Sequence, residues 1–212
     1  MTSRRHSREH THQGSPNQRA GERGGLLVEI TMVIPLLVFL MLGTLEIGMA
    51  WSDAQVVTQA ARSGARTVTQ LPEEELADQQ ALLAVQAAFS QQSISAVQVT
   101  IFEADVDGNP TTSCDGTTPV SGGQPCNIYT LSDISFTALT DTDLWGCNQS
   151  GRTMAVDDNW CPSDASNRNP AQASATWIGV RVVAERQWLT GFFGNGTQTI
   201  SETAVMRLEP RP

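Results

Sequence analysis

The chain has 212 residues, 40% hydrophobic and only 17% charged, with a net charge of −9. That length allows about one and a half average domains, but the charge falls into three unequal blocks. Residues 1–24 hold five Arg, two Glu and all three His, residues 26–51 carry only Glu29 and Glu46, and residues 52–212 set eight Arg against eighteen Asp and Glu. Such a partition argues against a single soluble domain. The acidity of the large block, which has no Lys, argues equally against nucleic acid as a partner.

Ile30–Leu45 reads ITMVIPLLVFLMLGTL, sixteen residues without a charge, and from Leu26 out to Trp51 the block is twenty-six residues long. That exceeds the roughly 20 residues needed to cross a hydrocarbon core. Arg19 and Arg23 precede it and acidic residues dominate after it. An excess of positive charge marks the cytoplasmic side, so the N-terminus is expected in the cytoplasm and residues 52–212 outside. The expected organisation is a basic leader or tail at 1–24, a transmembrane segment at 25–51 and an acidic extracytoplasmic domain at 52–212. Three fates are open to such a segment: a plain anchor, a secretory signal peptide, or a pilin-type leader followed by a helix. Gly48-Met49-Ala50 would suit signal peptidase, with a cut before Trp51. Against that, the apolar run is longer than the usual core of a signal peptide, about 7–15 residues.

The helical pattern also continues past Ala50. Val57, Ala61, Gly64 and Val68 follow one another at spacings of four, three and four, the stripe of one helix face. A single rod to about Gln70 is expected, ended by Pro72. Forty-five residues at 1.5 Å each would make it about 67 Å long. Pro35 removes an amide donor and crowds the preceding turn, so a kink is expected there. The small residues Ala60, Ala61, Gly64 and Ala65 suit close packing against the chain's own head or against neighbouring helices.

Residues 23–35 read RGGLLVEITMVIP, and a second Glu with Gly follows near the outer end of the helix. This resembles the TadE-like family, minor pilins or pseudopilins of the tight-adherence branch of type IV pilus systems. The likeness covers the N-terminal third; AARSGAR at Ala60–Arg66 and the end of the last strand, Ala204–Pro210, resemble the family too. The resemblance implies a prepilin peptidase that cuts after Gly and leaves Glu fifth in the mature chain. Counted back from Glu29, the cut falls between Gly24 and Gly25, with the adjacent glycines leaving one residue of ambiguity. It also implies other pilins and a pilus assembly platform as partners, besides membrane lipid.

Physical chemistry singles out the same two acids. A carboxylate at the centre of a membrane helix costs on the order of 2.5–3.5 kcal/mol on insertion scales and so takes a partner. Glu29 is expected near the cytoplasmic end, either as a plain interfacial residue or as acceptor of a neighbouring subunit's new α-amino group. Glu46 is expected at the outer interface, with an assembly contact left open by the family resemblance. Glu29, Pro35 and Glu46 are thus the candidate assembly residues in the membrane.

Further along, Glu73-Glu74-Glu75 is expected to open a second helix running to about Gln91, with its acids favoured by the helix dipole. Val97, Val99 and Ile101 alternate with polar residues as in a half-buried strand. Residues 105–173 are turn-rich, with short apolar pieces at Ile128–Leu131 and Ile134–Leu139. Strands are expected at Thr176–Arg186 and Gln198–Leu208, separated by GFFGNGT. A long helix, a second helix and then an antiparallel sheet make a pilin-like α+β plan. Cys114, Cys126, Cys147 and Cys161 lie in the turn-rich region on the expected outer side, where an even count favours disulfides. Three pairings are possible, and local closure favours Cys114–Cys126 with Cys147–Cys161.

Other features are weaker. Asp105–Asn109 has the look of a calcium loop but lacks the later bidentate Glu, and is read as a turn. Asp157-Asp158 is read as a solvated pair. With every His in the first block, the exported part lacks the commonest general base. No nucleophile elbow or phosphate loop occurs, so no enzyme, cofactor, metal or small-molecule substrate is expected. A single-pass inner-membrane component of a pilus or related secretion machinery is the reading favoured, with a cell-envelope binding module as its alternative.

Overall fold

The computed structural model describes residues 18–71, 74–90, 92, 94–105, 107–109, 114, 125–147, 155–163, 168, 177–189 and 196–208, the first seven of them and Phe136 through the backbone alone. Helix α1 spans Gln18–Gln70 and α2 spans Ala77–Phe89. Strands β1 (Ser95–Ala104) and β2 (Cys126–Thr130) follow, then the short helix α3 (Phe136–Thr140). Two 3₁₀ turns, Thr142–Leu144 and Asp158–Trp160, precede strands β3 (Trp177–Gln187) and β4 (Thr197–Arg207). The class is α+β, as the residue pattern leads one to expect. The chain divides into two compact units, Met1–Leu45 and Glu46–Pro212.

The first unit contributes the apolar part of α1. Gly25 to Gln70 is long and apolar enough to cross a membrane, and an 18-residue window within it has a mean hydropathy of 2.5. From Leu26 to Met41 its large apolar side chains lie exposed, as they must if lipid is their solvent. The threonine hydroxyls on this part of α1 are satisfied within the helix. Thr31 and Thr44 donate their hydroxyls to the carbonyls of Val28 and Leu40, at 2.8 and 2.7 Å, which suits a medium with no water to bond them. Pro35 lies inside α1 and has no N–H to offer the carbonyl of Thr31 one turn earlier.

The second unit is a head of two layers. Its four-stranded sheet has the order β2-β1-β3-β4, every pair antiparallel. Val99 and Ile101 of β1 share a face, as strand alternation requires, and pair with Val182 and Val180 of β3. These side chains are fully buried in one core with Val57, Ala60, Ala61, Ala65 and Val68 of α1 and Ala81, Leu82 and Val85 of α2. The stripe of small residues on α1 therefore packs on its own head. Gly64 shows how closely: a Cβ there would stand 2.8 Å from Val85 Cγ2 and 3.2 Å from Val180 Cγ1. On the opposite face Phe102 lies across from Gly179, where a Cβ would run into its ring. Phe102 is buried there with Ala104, Cys114 and Cys126.

Two elements differ from expectation. α2 starts at Ala77, four residues after Glu73, because a turn intervenes in which Ala77 N–H bonds the Glu74 carbonyl at 3.0 Å; Pro72 and Glu73 lie outside the described residues. The acid in its first turn is Asp78. Ile134–Leu139 forms a turn and then α3, whose N-cap Ser135 accepts the Ala138 N–H.

Candidate functional site

Three places on the chain carry groups that sequence reasoning or burial singles out. The first is the start of α1. Gly24 and Gly25 lie in the first turns of the helix, and nothing stands within 4 Å of a Cβ built on Gly25. Each glycine costs roughly 1 kcal/mol of helix stability relative to Ala, so this is a point where the helix opens easily. Glu29 follows on an exposed surface, and no hydrogen bond or ion pair holds its carboxylate among the described residues.

The second place is the beginning of the head. Glu46 is fully buried. Its Oε1 accepts the Leu189 N–H at 2.8 Å, and its carbonyl accepts from Arg186 Nη1 at 3.3 Å. Arg186 also pairs through Nε with Asp53 at 3.1 Å. Burial pushes the Asp53 carboxyl above its usual range, and the guanidinium beside it works the other way. The burial has a geometric cause. Asp53 lies seven residues beyond Glu46, about 20° away around an ideal helix, so both belong to the stripe that continues through Val57 into the core. The phase of that stripe, carried back three turns, would have found Glu46; hydropathy alone could not.

Residues 24–66 match the TadE-like protein family. No curated protein and no solved structure matches the chain. The TadE-like segment begins at Gly24 and takes in Glu29, Pro35, Glu46 and the close-packed residues Ala60, Ala61, Gly64 and Ala65. It coincides with the apolar helix and its first buried turns, and it stops before α2 and the sheet.

The third place is a polar cluster inside the head, beyond the TadE-like segment. Asp78 accepts four hydrogen bonds: two from Arg168, one from the Tyr129 hydroxyl and one from Asn127 Nδ2 at 2.8 Å. Asn127 reaches on to the carbonyls of Asp157 and Trp160, and its Oδ1 accepts the Trp160 N–H at 2.8 Å. The Arg168 guanidinium lies 4.1 Å from the centre of the Trp160 ring, an attractive cation–π distance. Asp157, expected in solvent, is fully buried and accepts the N–H groups of Gly146 and Cys147, both at 2.9 Å. Those two residues have φ of +93° and +60°, a conformation that turns successive amides toward one anion. Burial raises the Asp157 carboxyl above its usual range, opposed by these two bonds. The Tyr129 hydroxyl is pushed far higher, by burial first and then by the negative charges of Asp78 and Asp157.

The disulfides pair as local closure predicts. Cys114–Cys126 and Cys147–Cys161 have Cα separations of 6.1 and 5.5 Å. The second closes the loop that carries Asp157, so that loop is held by a covalent bond and by the polar cluster together. Among the described residues, the carboxylate oxygens of Asp78 and Asp157 are all taken up by hydrogen-bond donors. The cluster's chemistry is that of a tie between α2, β2 and the loop. At Asp105 the carboxylate accepts from the Asp107 and Asn109 amides at 2.9 and 2.7 Å, which forms the turn and holds the acid below its ordinary range.

Proposed function

We propose that this chain is a membrane-anchored minor pilin or pseudopilin, a structural and assembly component of a tight-adherence pilus or related secretion machinery. The observation that supports the reading is the coincidence of the TadE-like segment with an exposed apolar helix that bears, near its N-terminal end, an acid without a partner among the described residues. In this reading a prepilin peptidase removes the basic leader after Gly24. Glu29 then receives the new α-amino group of a neighbouring subunit, so that two charges neutralise each other in lipid. A bare carboxylate in a membrane helix costs up to about 2.5–3.5 kcal/mol, and pairing removes much of that cost. The head faces outward, and its work is contact with other pilins and the assembly platform, not turnover of a substrate.

The test is to compare the wild-type chain with Glu29→Ala and Glu29→Gln in fibres sheared from the cell surface and in the membrane fraction. Both variants are expected to remain in the membrane and to be depleted from the fibres, or to lower fibre yield, several-fold. Unchanged fibre yield and unchanged incorporation in both variants would refute the role given to Glu29.

A further inference from the structure

A cavity of about 640 Å³ lies where the start of β1 and the end of β3 meet α1 near Asp53. Its volume falls within the range of small-molecule sites, roughly 300–1,000 Å³. Among the described residues its whole wall lies beyond Leu45, within the head unit. α1 contributes Ser52 and Asp53, β1 contributes Ser95, and β3 contributes Glu185 and Arg186.

Arg186 is only 5% exposed. Two of its three nitrogens are engaged: Nε pairs with Asp53 at 3.1 Å, and Nη1 donates to the Glu46 carbonyl at 3.3 Å. Nη2 is buried and has no hydrogen-bond partner among the described residues. Directly across the β3–β4 pair stands Gln198, whose side chain leaves the sheet on the same face. Its Oε1 is also buried and has no donor among the described residues. One cross-strand pair thus carries a spare donor and a spare acceptor, atoms that folded interiors seldom leave unused, and one of its members walls the cavity.

These two atoms discriminate between ligands. A hydroxyl accepts from Nη2 and donates to Oε1 at once. A carboxylate has no proton for Oε1 and cannot grip the guanidinium through two parallel bonds, because Nε and Nη1 are taken. It would also meet two acids, Asp53 and Glu185, against one Arg in the wall. An ammonium has no lone pair to offer Nη2. A peptide amide carries both functions, but an added strand needs an unpaired sheet edge, and here Ser95 and Ala96 of β1 pair with Glu185 and Ala184 of β3. The rest of the wall suits several hydroxyls on one ring. Glu185 accepts, Ser52 and Ser95 accept and donate, and Met49 and Ile94 offer apolar surface to the C–H face of a sugar.

We propose that this cavity binds a neutral saccharide, with Arg186 Nη2 and Gln198 Oε1 closing on one sugar hydroxyl. The site belongs to the head unit alone and does not depend on the membrane and pilus reading above.

The experiment uses the full chain in a detergent without a sugar headgroup, followed by saturation-transfer NMR. The probes are glucose, galactose, mannose, rhamnose and N-acetylglucosamine, each as monosaccharide and disaccharide, with acetate and triglycine beside them. At least one sugar is expected to bind at millimolar concentration or below. Ser52→Trp fills the cavity from an exposed position on α1, and Gln198→Leu removes the spare acceptor. Each is expected to weaken sugar binding about tenfold or more with the near-ultraviolet circular dichroism unchanged. Where one variant loses that signal, the other decides. Sugar binding that is as strong in the folded variants as in the wild type overturns the proposal. A chain that binds none of the sugars, or only acetate or triglycine, overturns it as well.

Discussion

Asp78 is a buried carboxylate whose two oxygens take donors from Arg168, Tyr129 and Asn127, residues 49 to 90 positions further along the chain. Removing one partner of a buried pair leaves the other charge without compensation, at a cost of about 3–5 kcal/mol. Asp78→Ala is therefore expected to lower the unfolding free energy of the detergent-solubilised chain by roughly that amount, read from urea unfolding followed by near-ultraviolet circular dichroism. A loss comparable to that of an exposed-site variant would show that the cluster is not a tie. Tyr129 gives the same cluster a pH signature. Its hydroxyl stays protonated in the folded head beyond the ordinary value of 10.0, so above that pH the unfolded chain has released a proton that the native one keeps. The sign follows from linkage: this contribution is complete below about pH 10 and declines as pH rises further. Tyr129 is also the sole tyrosine. Tyrosinate absorbance is expected only together with loss of tertiary structure, and a titration that precedes unfolding would contradict the buried hydrogen bond.

At the level of elements, what was legible in the sequence is what repeats along the chain. The stripe Val57, Ala61, Gly64, Val68 announces the helix face that packs on the sheet, and alternation at Val97–Ile101 and Ile178–Ala184 announces β1 and β3. β2 and α3 come from apolar runs too short to show a period, so no pattern could separate them. The start of α2 escaped for a different reason: its first-turn acid is selected by Arg168 from a turn-rich segment, a contact between residues 90 apart in sequence. Asp157 was misplaced likewise, since its two amide donors at Gly146 and Cys147 exist only once the loop is closed. The disulfides were readable because short loops with few apolar residues need covalent closure. Each loop, of 12 and 14 residues by sequence separation, contributes roughly 3 kcal/mol by the chain-entropy model. Cys147→Ser is expected to cost about 2–5 kcal/mol and to loosen the Asp157 loop, while Cys114→Ser leaves that loop ordered. Differential hydrogen exchange of the 147–161 segment checks this. Equal protection in the wild type and Cys147→Ser would show that the polar cluster alone holds the loop.

For the whole molecule, the division of labour follows the solvent each part meets. Residues 25–45 expose apolar side chains and satisfy their hydroxyls internally, while the stripe that begins at Glu46 turns the same helix into a core element of the head. The TadE-like match spans both parts and stops at residue 66, within α1 and before α2 and the sheet, so family likeness locates the apolar helix and physical reasoning has to supply the rest. The proposed role requires that the rod be kept and only the basic leader be lost. Intact-mass measurement of the chain recovered from membrane and from medium tests it most directly. The expected species begins at Gly25 and sits in the membrane. Gly24→Val abolishes it unless Gly25 serves in place of Gly24, and Glu29→Ala leaves the cut in place. A dominant species that begins at Trp51 and lies in the medium would contradict the account, and so would a membrane species that still carries residues 1–24.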